Sequence, residues 1–296
     1  NGLAGYSGGM WFRIDDFSHS HGLDGIVLTC TLDGNDLYVG GDFLDAGDLL
    51  VNRVAKWDGT SWHALGAGVN STVYTIALRG DTLYAGGDFT TAGGTPANHI
   101  AMWDGSSWSA LGSGMDLTVY TIAFVGNNLY AGGLFTTAGG NSAARIARWD
   151  GITWSPVGSG MNDFVRTLAS NGTDLYAGGG FTNAGGMIAN RVARWDGSGW
   201  SGLGTGMNAI VRTVVVQGSD LYAGGDFTAA GVSAANHIAK WDGANWSVLG
   251  IGTDNAVRSI SINGNDLYAC GNFETAGGAP ARGIAQWDGA NWSSLG

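Results

Sequence analysis

Two short motifs recur along this chain of 296 residues at one unvarying interval. Leu-Tyr begins at residues 37, 83, 129, 175, 221 and 267, and Trp-Asp-Gly at 57, 103, 149, 195, 241 and 287. Both series step by 46 residues without an insertion or deletion. Six copies of one unit therefore account for residues 23–296. A chain built this way must fold as an array of equivalent modules, each of which buries its apolar faces against its neighbours.

The copy from 69 to 112 shows what the module is. Val73 to Leu78 is β-branched and alternating, which predicts a strand. Arg79-Gly80-Asp81-Thr82 reads as a hairpin turn. Leu83 to Phe89 is a second strand, with Gly86-Gly87 where another part of the backbone must come close. Thr90 to Ala97 is a Gly-rich loop, Ile100 to Trp103 a third strand, Asp104-Gly105 a turn, and Trp108 to Leu111 a short fourth strand. No stretch keeps a 3.6-residue apolar period long enough for a helix. Composition agrees: 54 glycines, 12% charged residues, two lysines (Lys56 and Lys240) and one glutamate (Glu274) suit tight turns and strands better than helices.

One four-stranded sheet cannot bury both faces, but six arranged radially can, and a ring protects the long edges. The expected fold is an all-β, six-bladed β-propeller with four antiparallel strands per 46-residue blade; a linear array is the competing geometry. Each copy holds a complete set of strands, so blade 6 is expected to meet blade 1 directly. Residues 1–22 stand outside the repeat as an N-terminal arm. Trp11 lies 46 before Trp57, so the arm reads as an eroded half-blade, either packed across the seam or left over from a preceding blade.

The stretch LYAGGDFTTAGGTPANHIAMWDGSSWSALGSGM (83–115) resembles the repeats of secreted bacterial β-propeller proteins of kelch-like, WDG-repeat type, and similar units occur in fungal cell-surface cortical-marker proteins. The likeness extends over all six copies. It implies the propeller fold, but such folds host lectins, adhesins, scaffolds and enzymes alike, and it carries no catalytic residue onto this chain.

Charge narrows the partners. A formal net charge of −11 argues against phosphate-backbone binding, so no nucleic acid is expected. No run of about 18 apolar residues exists to insert in a membrane. The start at Asn1 rather than Met suggests a mature form or a fragment, and with the scarcity of Lys and the wealth of Trp, Gly and Asp the expectation is a protein secreted or at the cell surface.

Twelve of the 13 tryptophans sit in the six WDGxxW units, where repetition in every blade points to framework rather than ligand. Two other series are better candidates for a site. Asp24, Asn70, Asp116, Asn162, Asn208 and Asp254 precede each first strand; around one pore mouth they would offer the oxygen ligands of an axial Ca²⁺, or else cap nearby backbone N–H groups. Four residues further on, the framework gives way to Leu28, Tyr74, Tyr120, Arg166, Arg212 and Arg258. The arginines suit carboxylates or acidic sugars and the tyrosines supply stacking faces, unless the arginines only pair with Asp residues of adjacent blades. His99 and His237 fall three repeats apart, too far to share a metal. His19 and His21 lack a third ligand. Cys30 and Cys270 lie in blades 1 and 6, where a disulfide would staple the closing seam; otherwise they are buried small apolar residues.

No nucleophile–base pair or phosphate-gripping loop stands out. The expected function is therefore a non-catalytic extracellular binding scaffold for glycans or a protein partner, needing no cofactor. The alternatives are an assembly module of a larger surface protein, and a polysaccharide-acting enzyme using channel-mouth aspartates such as Asp116 and Asp254 as acid and base.

Overall fold

A computed structural model of the chain describes residues 4–7, 10–13 and 22–295, the first two segments as backbone only. The described residues contain strands and turns and no helix. Six four-stranded antiparallel sheets, each with its strands in chain order, are arranged as the blades of a β-propeller.

In blade 2 the strands are Val73–Arg79, Thr82–Gly87, Ile100–Trp103 and Trp108–Ala110. Leu83 faces Leu78 on one side and Trp103 on the other, so one apolar row crosses the sheet. The loop after the second strand is more ordered than its composition suggests. It holds a further hairpin, Thr91–Ala92 against Thr95–Pro96, turned by Gly93 and Gly94 at φ 59° and 80°. Such a hairpin recurs in every blade. Two-residue strands are too short to show a period of two, so alternation could not reveal them.

By internal contacts the chain forms two compact units, residues 1–122, 135–141 and 152–154 in one, and 123–134, 142–151 and 155–296 in the other. In the first, Phe89, Leu83 and Trp108 close a core with Leu65 and Val73. In the second, Phe181 and Phe227 each centre a similar cluster. The phenylalanine that follows each second strand is at most 2% exposed in all six blades.

The WDGxxW unit supplies both a turn and a link between blades. Trp108, Trp154, Trp200, Trp246 and Trp292 each donate their indole N–H to a backbone carbonyl 43 residues earlier, in the preceding blade, at 2.7–3.0 Å. The third-strand indole lies against the fourth, as Trp195 against Trp200 at 5.4 Å. First strands add a second link: Thr29, Thr75 and Thr167 accept, on Oγ1, the N–H of Ile76, Ile122 and Val214 in the following blade.

The Asp of the turn accepts the N–H groups two and three residues on, as Asp104 does from Ser106 and Ser107 at 2.8 Å. Bonding to the ionised form lowers its pKa. The Ser106 hydroxyl and the Ser107 and Ser106 amides hold Asp104 at about 2, and the Ser198 hydroxyl with the Gly199 and Ser198 amides hold Asp196 at about 2. A depressed folded-state pKa contributes stability above the ordinary value of 3.8, which is lost as pH falls through the folded value. The expected result is a loss of melting temperature between about pH 4 and pH 2 that is smaller in the Asp104→Asn, Asp196→Asn double variant. Thermal melts across that range check it; parallel curves for parent and variant would refute the assignment.

One expectation about the chain ends needs correction. Cys30 and Cys270 are free thiols, and both are exposed rather than bonded or buried. The first strand of blade 1 has no buried residue and alternates exposed with half-buried side chains, Ile26, Leu28 and Leu32 being exposed at 56, 43 and 65%. The equivalent strand of blade 2 buries Val73 and Ile76 completely or nearly so. Cys270 stands where the five other copies have the first glycine of the pair closing the second strand. In the arm, Ala4–Ser7 pairs antiparallel with Met10–Arg13, Tyr6 opposite Trp11. His19 and His21 lie outside the described residues.

Candidate functional site

The variable position of the repeat has a structural cause. In blade 2 Val73 pairs with Gly87 and Thr75 with Gly86, so Tyr74 is the extra residue of a β-bulge. Leu28, Arg166, Arg212 and Arg258 are left over in the same way, each opposite the end of the second strand. Tyr120 holds the same place in the repeat. A bulge frees its residue from the ladder and re-aims its side chain. Here it lifts one side chain per copy out of the alternation that the core demands.

The glycines opposite make this possible. A Cβ on Gly87 would lie 2.1 Å from the Thr72 carbonyl oxygen, which is the close backbone approach expected of the pair. A Cβ on Gly86 would meet something else, Val119 Cγ1 of the next blade at 2.6 Å.

Tyr74, Arg212 and Arg258 each bond the residue 14 positions on. Tyr74 Oη donates to Asp88 Oδ2 at 2.9 Å. Arg212 makes a two-pronged contact with Asp226, Nε to Oδ1 at 2.6 Å and Nη2 to Oδ2 at 2.7 Å. Arg258 Nε donates to Asn272 Oδ1 at 2.8 Å. The arginine–aspartate pairing anticipated between blades is thus made within one blade, because the bulge points its side chain along its own sheet. The partner series itself varies: Asp42, Asp88, Leu134, Gly180, Asp226 and Asn272. Tyr74 and Tyr120 meet edge to face with ring centroids 5.3 Å apart, and the Thr118 hydroxyl donates to Asp88 Oδ1. Arg166 has Gly180 at the matching place, and Arg258 is exposed opposite a neutral amide.

The six Asx residues serve the loops. Asp24 Oδ1 accepts the N–H groups of Leu44 and Asp45 at 2.8 and 2.9 Å. Asn70, Asp116, Asn162, Asn208 and Asp254 do the same for the residues 20 and 21 positions on. Each pins its blade's small hairpin to the segment leading into the first strand. One oxygen of every member is taken up, and among the described residues no group of three His, Cys, Asp or Glu side chains could hold a metal ion. Burial pushes the Asp116 carboxyl up, but bonds from the Thr136 hydroxyl and the Thr137 and Thr136 amides outweigh it and leave it lowered. Bonding from the Thr275 amide, above all, lowers Asp254. A lowered carboxyl is poorly matched to a general acid near neutrality.

Sequence reasoning missed a further series. Arg53, His99, Arg145, Arg191 and His237 hold left-handed backbone, φ 64° to 73°, just before each third strand. Several tie their side chains to main-chain carbonyls: His99 Nδ1 to Gly87 at 3.1 Å, Arg145 Nη1 to Leu134 at 2.9 Å, Arg191 Nη1 to Met207 at 3.1 Å. The signal was present in blade 6, where this place is Gly283 at φ 85°.

No family model and no curated protein matches the chain. Solved structures do. The WD40 β-propeller domain of Doa1 matches with a TM-score of 0.62 at 14% identity, over 93% of this chain and 84% of that one. The extracellular domain of a one-component system from B. thetaiotaomicron matches at 0.62 and 13% identity, over 97% of this chain but only 35% of the other. The computationally designed Ika8 protein matches at 0.58 and 16% identity, over 90% of this chain and 83% of that one. At such identities the likeness speaks for the fold, and the fold is that of a β-propeller.

Proposed function

We propose that the protein is a non-catalytic extracellular binding propeller, related to the secreted WDG-repeat propellers that its sequence resembles, and that it binds glycans through the bulge residues of its first strands. The observation that carries this reading is the bulge itself. It places one half-exposed or exposed side chain per blade on a largely repeated frame, and that is a position where the chain varies. The Arg212–Asp226 pair is internally neutralised, whereas Arg258 bonds a neutral amide and so brings positive charge to a chain of net charge −11. Guanidinium groups there suit the carboxylates and sulfates of acidic glycans. The match to an extracellular domain supports the location.

A glycan array probed with the parent and with Arg166→Ala, Arg258→Ala tests the reading. Binding to acidic glycans that falls about tenfold or more in the double variant is the expected result. A parent that binds no glycan would sink this version and favour an assembly role in a larger surface protein.

A further inference from the structure

Lys56, Met102, Arg148, Arg194, Lys240 and Gln286 occupy one position of the third strand, just before the WDG turn. Where this residue is a cation, an aspartate on the second strand neutralises it in three copies: Lys56 with Asp36 at 2.9 Å, Arg194 with Asp174 at 2.9 Å, and Lys240 with Asp220 at 2.6 Å. Blade 3 breaks the pattern. Arg148 keeps the cation, but the position of the aspartate is Asn128. The Nε of Arg148 is buried and has no hydrogen-bond partner. An unsatisfied buried donor on a charged group is costly, and the side chain that carries it borders open space: a cavity of about 400 Å³ whose lining includes Arg148, Tyr130, Ser155, Pro156, Val157 and Trp195.

This volume lies in the range of small-ligand pockets, roughly 300–1,000 Å³. Its wall has one cation and two hydroxyls, the phenol of Tyr130 and that of Ser155, which donates to the Arg148 carbonyl at 3.4 Å. The rest is two aromatic rings and aliphatic carbon. A free inorganic oxyanion would want several donors and gain nothing from the rings, so the lining suits one carboxylate carried on a body with an apolar face. We propose that this cavity is a binding site for an acidic hexose, a uronate, with its carboxylate on the Arg148 guanidinium and its ring face against Trp195 and Tyr130.

The site is separate from the rim. Tyr130 pairs directly with Arg148 near the start of the second strand, Asn128–Gly133, whereas the bulge lies opposite the glycines at the end of the equivalent strands. Asn128→Asp is the decisive variant, because it restores the carboxylate that neutralises the cation in blades 1, 4 and 5 and leaves Arg148 in place.

Calorimetric titration of the parent with glucuronate, glucose and inorganic phosphate reads the site, with melting curves for every variant. Glucuronate is expected to bind at least about tenfold more tightly than either of the others. Asn128→Asp is expected to lose that preference while melting no lower than the parent. Arg148→Met, the residue of blade 2, is expected to lose it too and guards against a misfolded Asn128→Asp. Arg258→Ala is expected to bind glucuronate unchanged, so failure at the rim and failure here are distinguishable. Glucuronate no better than glucose, phosphate equal to glucuronate, Asn128→Asp binding like the parent, or loss of binding in Arg258→Ala alone would each overturn the proposal.

Discussion

Trp200→Ala is expected to lower the unfolding free energy by about 3–5 kcal/mol, the range for deleting a buried aromatic side chain. Trp200 is 7% exposed and joins the cluster around Phe181, which draws Tyr130, Ile146 and Val157 from the preceding blade. Its indole N–H is the donor to the Val157 carbonyl at 3.0 Å. Trp200→Phe keeps most of the ring but orphans that carbonyl, at about 1–3 kcal/mol. Trp195→Ala, at the half-exposed partner ring, is expected to cost less than either loss in Trp200→Ala. Urea denaturation, with midpoints compared at constant m, measures all three. Equal midpoints for Trp195→Ala and Trp200→Ala would remove the basis for treating the fourth-strand indole as the wedge between blades.

The second large effect concerns the glycine pair. Gly225→Ala is expected to destabilise by about 3 kcal/mol or more, beyond ordinary overpacking. The new Cβ would stand 2.1 Å from the Ile210 carbonyl oxygen and 3.0 Å from Val211 Cα, and backbone cannot swing aside as a side chain can. Relief requires the ladder to move at the bulge that carries Arg212. The variant should therefore lose both melting temperature and the rim's geometry. Gly218→Ala is the control: its φ of 60° imposes left-handed strain, but its Cβ would meet open space, so it should cost only about 1–2 kcal/mol. Denaturation midpoints give the comparison, and similar costs at the two sites would show that the close approach is not what the pair serves.

These effects also mark how far the residues could be read unaided. Alternation in Val73 to Leu78, the Leu-Tyr steps and the WDG turns are local signals, repeated six times, and they sufficed for the strands and their order. The bulge positions were legible as a place where the six copies disagree. Why that place varies was not legible, because a bulge is a property of hydrogen-bond register and register appears only when two strands are paired. Spacing could not show that Asn70 would bond the amides of Thr90 and Thr91, or that Arg212 would turn to Asp226 in its own blade. Those partners are 20, 21 and 14 residues away, and the chain between them must fold before they meet.

The repeat by itself determined the module, its strand count and the equivalence of positions between blades, since a 46-residue period leaves few ways to bury six identical apolar faces. Tertiary structure alone decided which of the repeated polar side chains remain available. The Asx series is consumed by loop amides, and most third-strand cations by aspartates. Arg148, whose aspartate has become Asn128, keeps a buried donor unsatisfied beside a cavity. Sequence lists the charges that a fold must place; only packing settles which of them are neutralised from within.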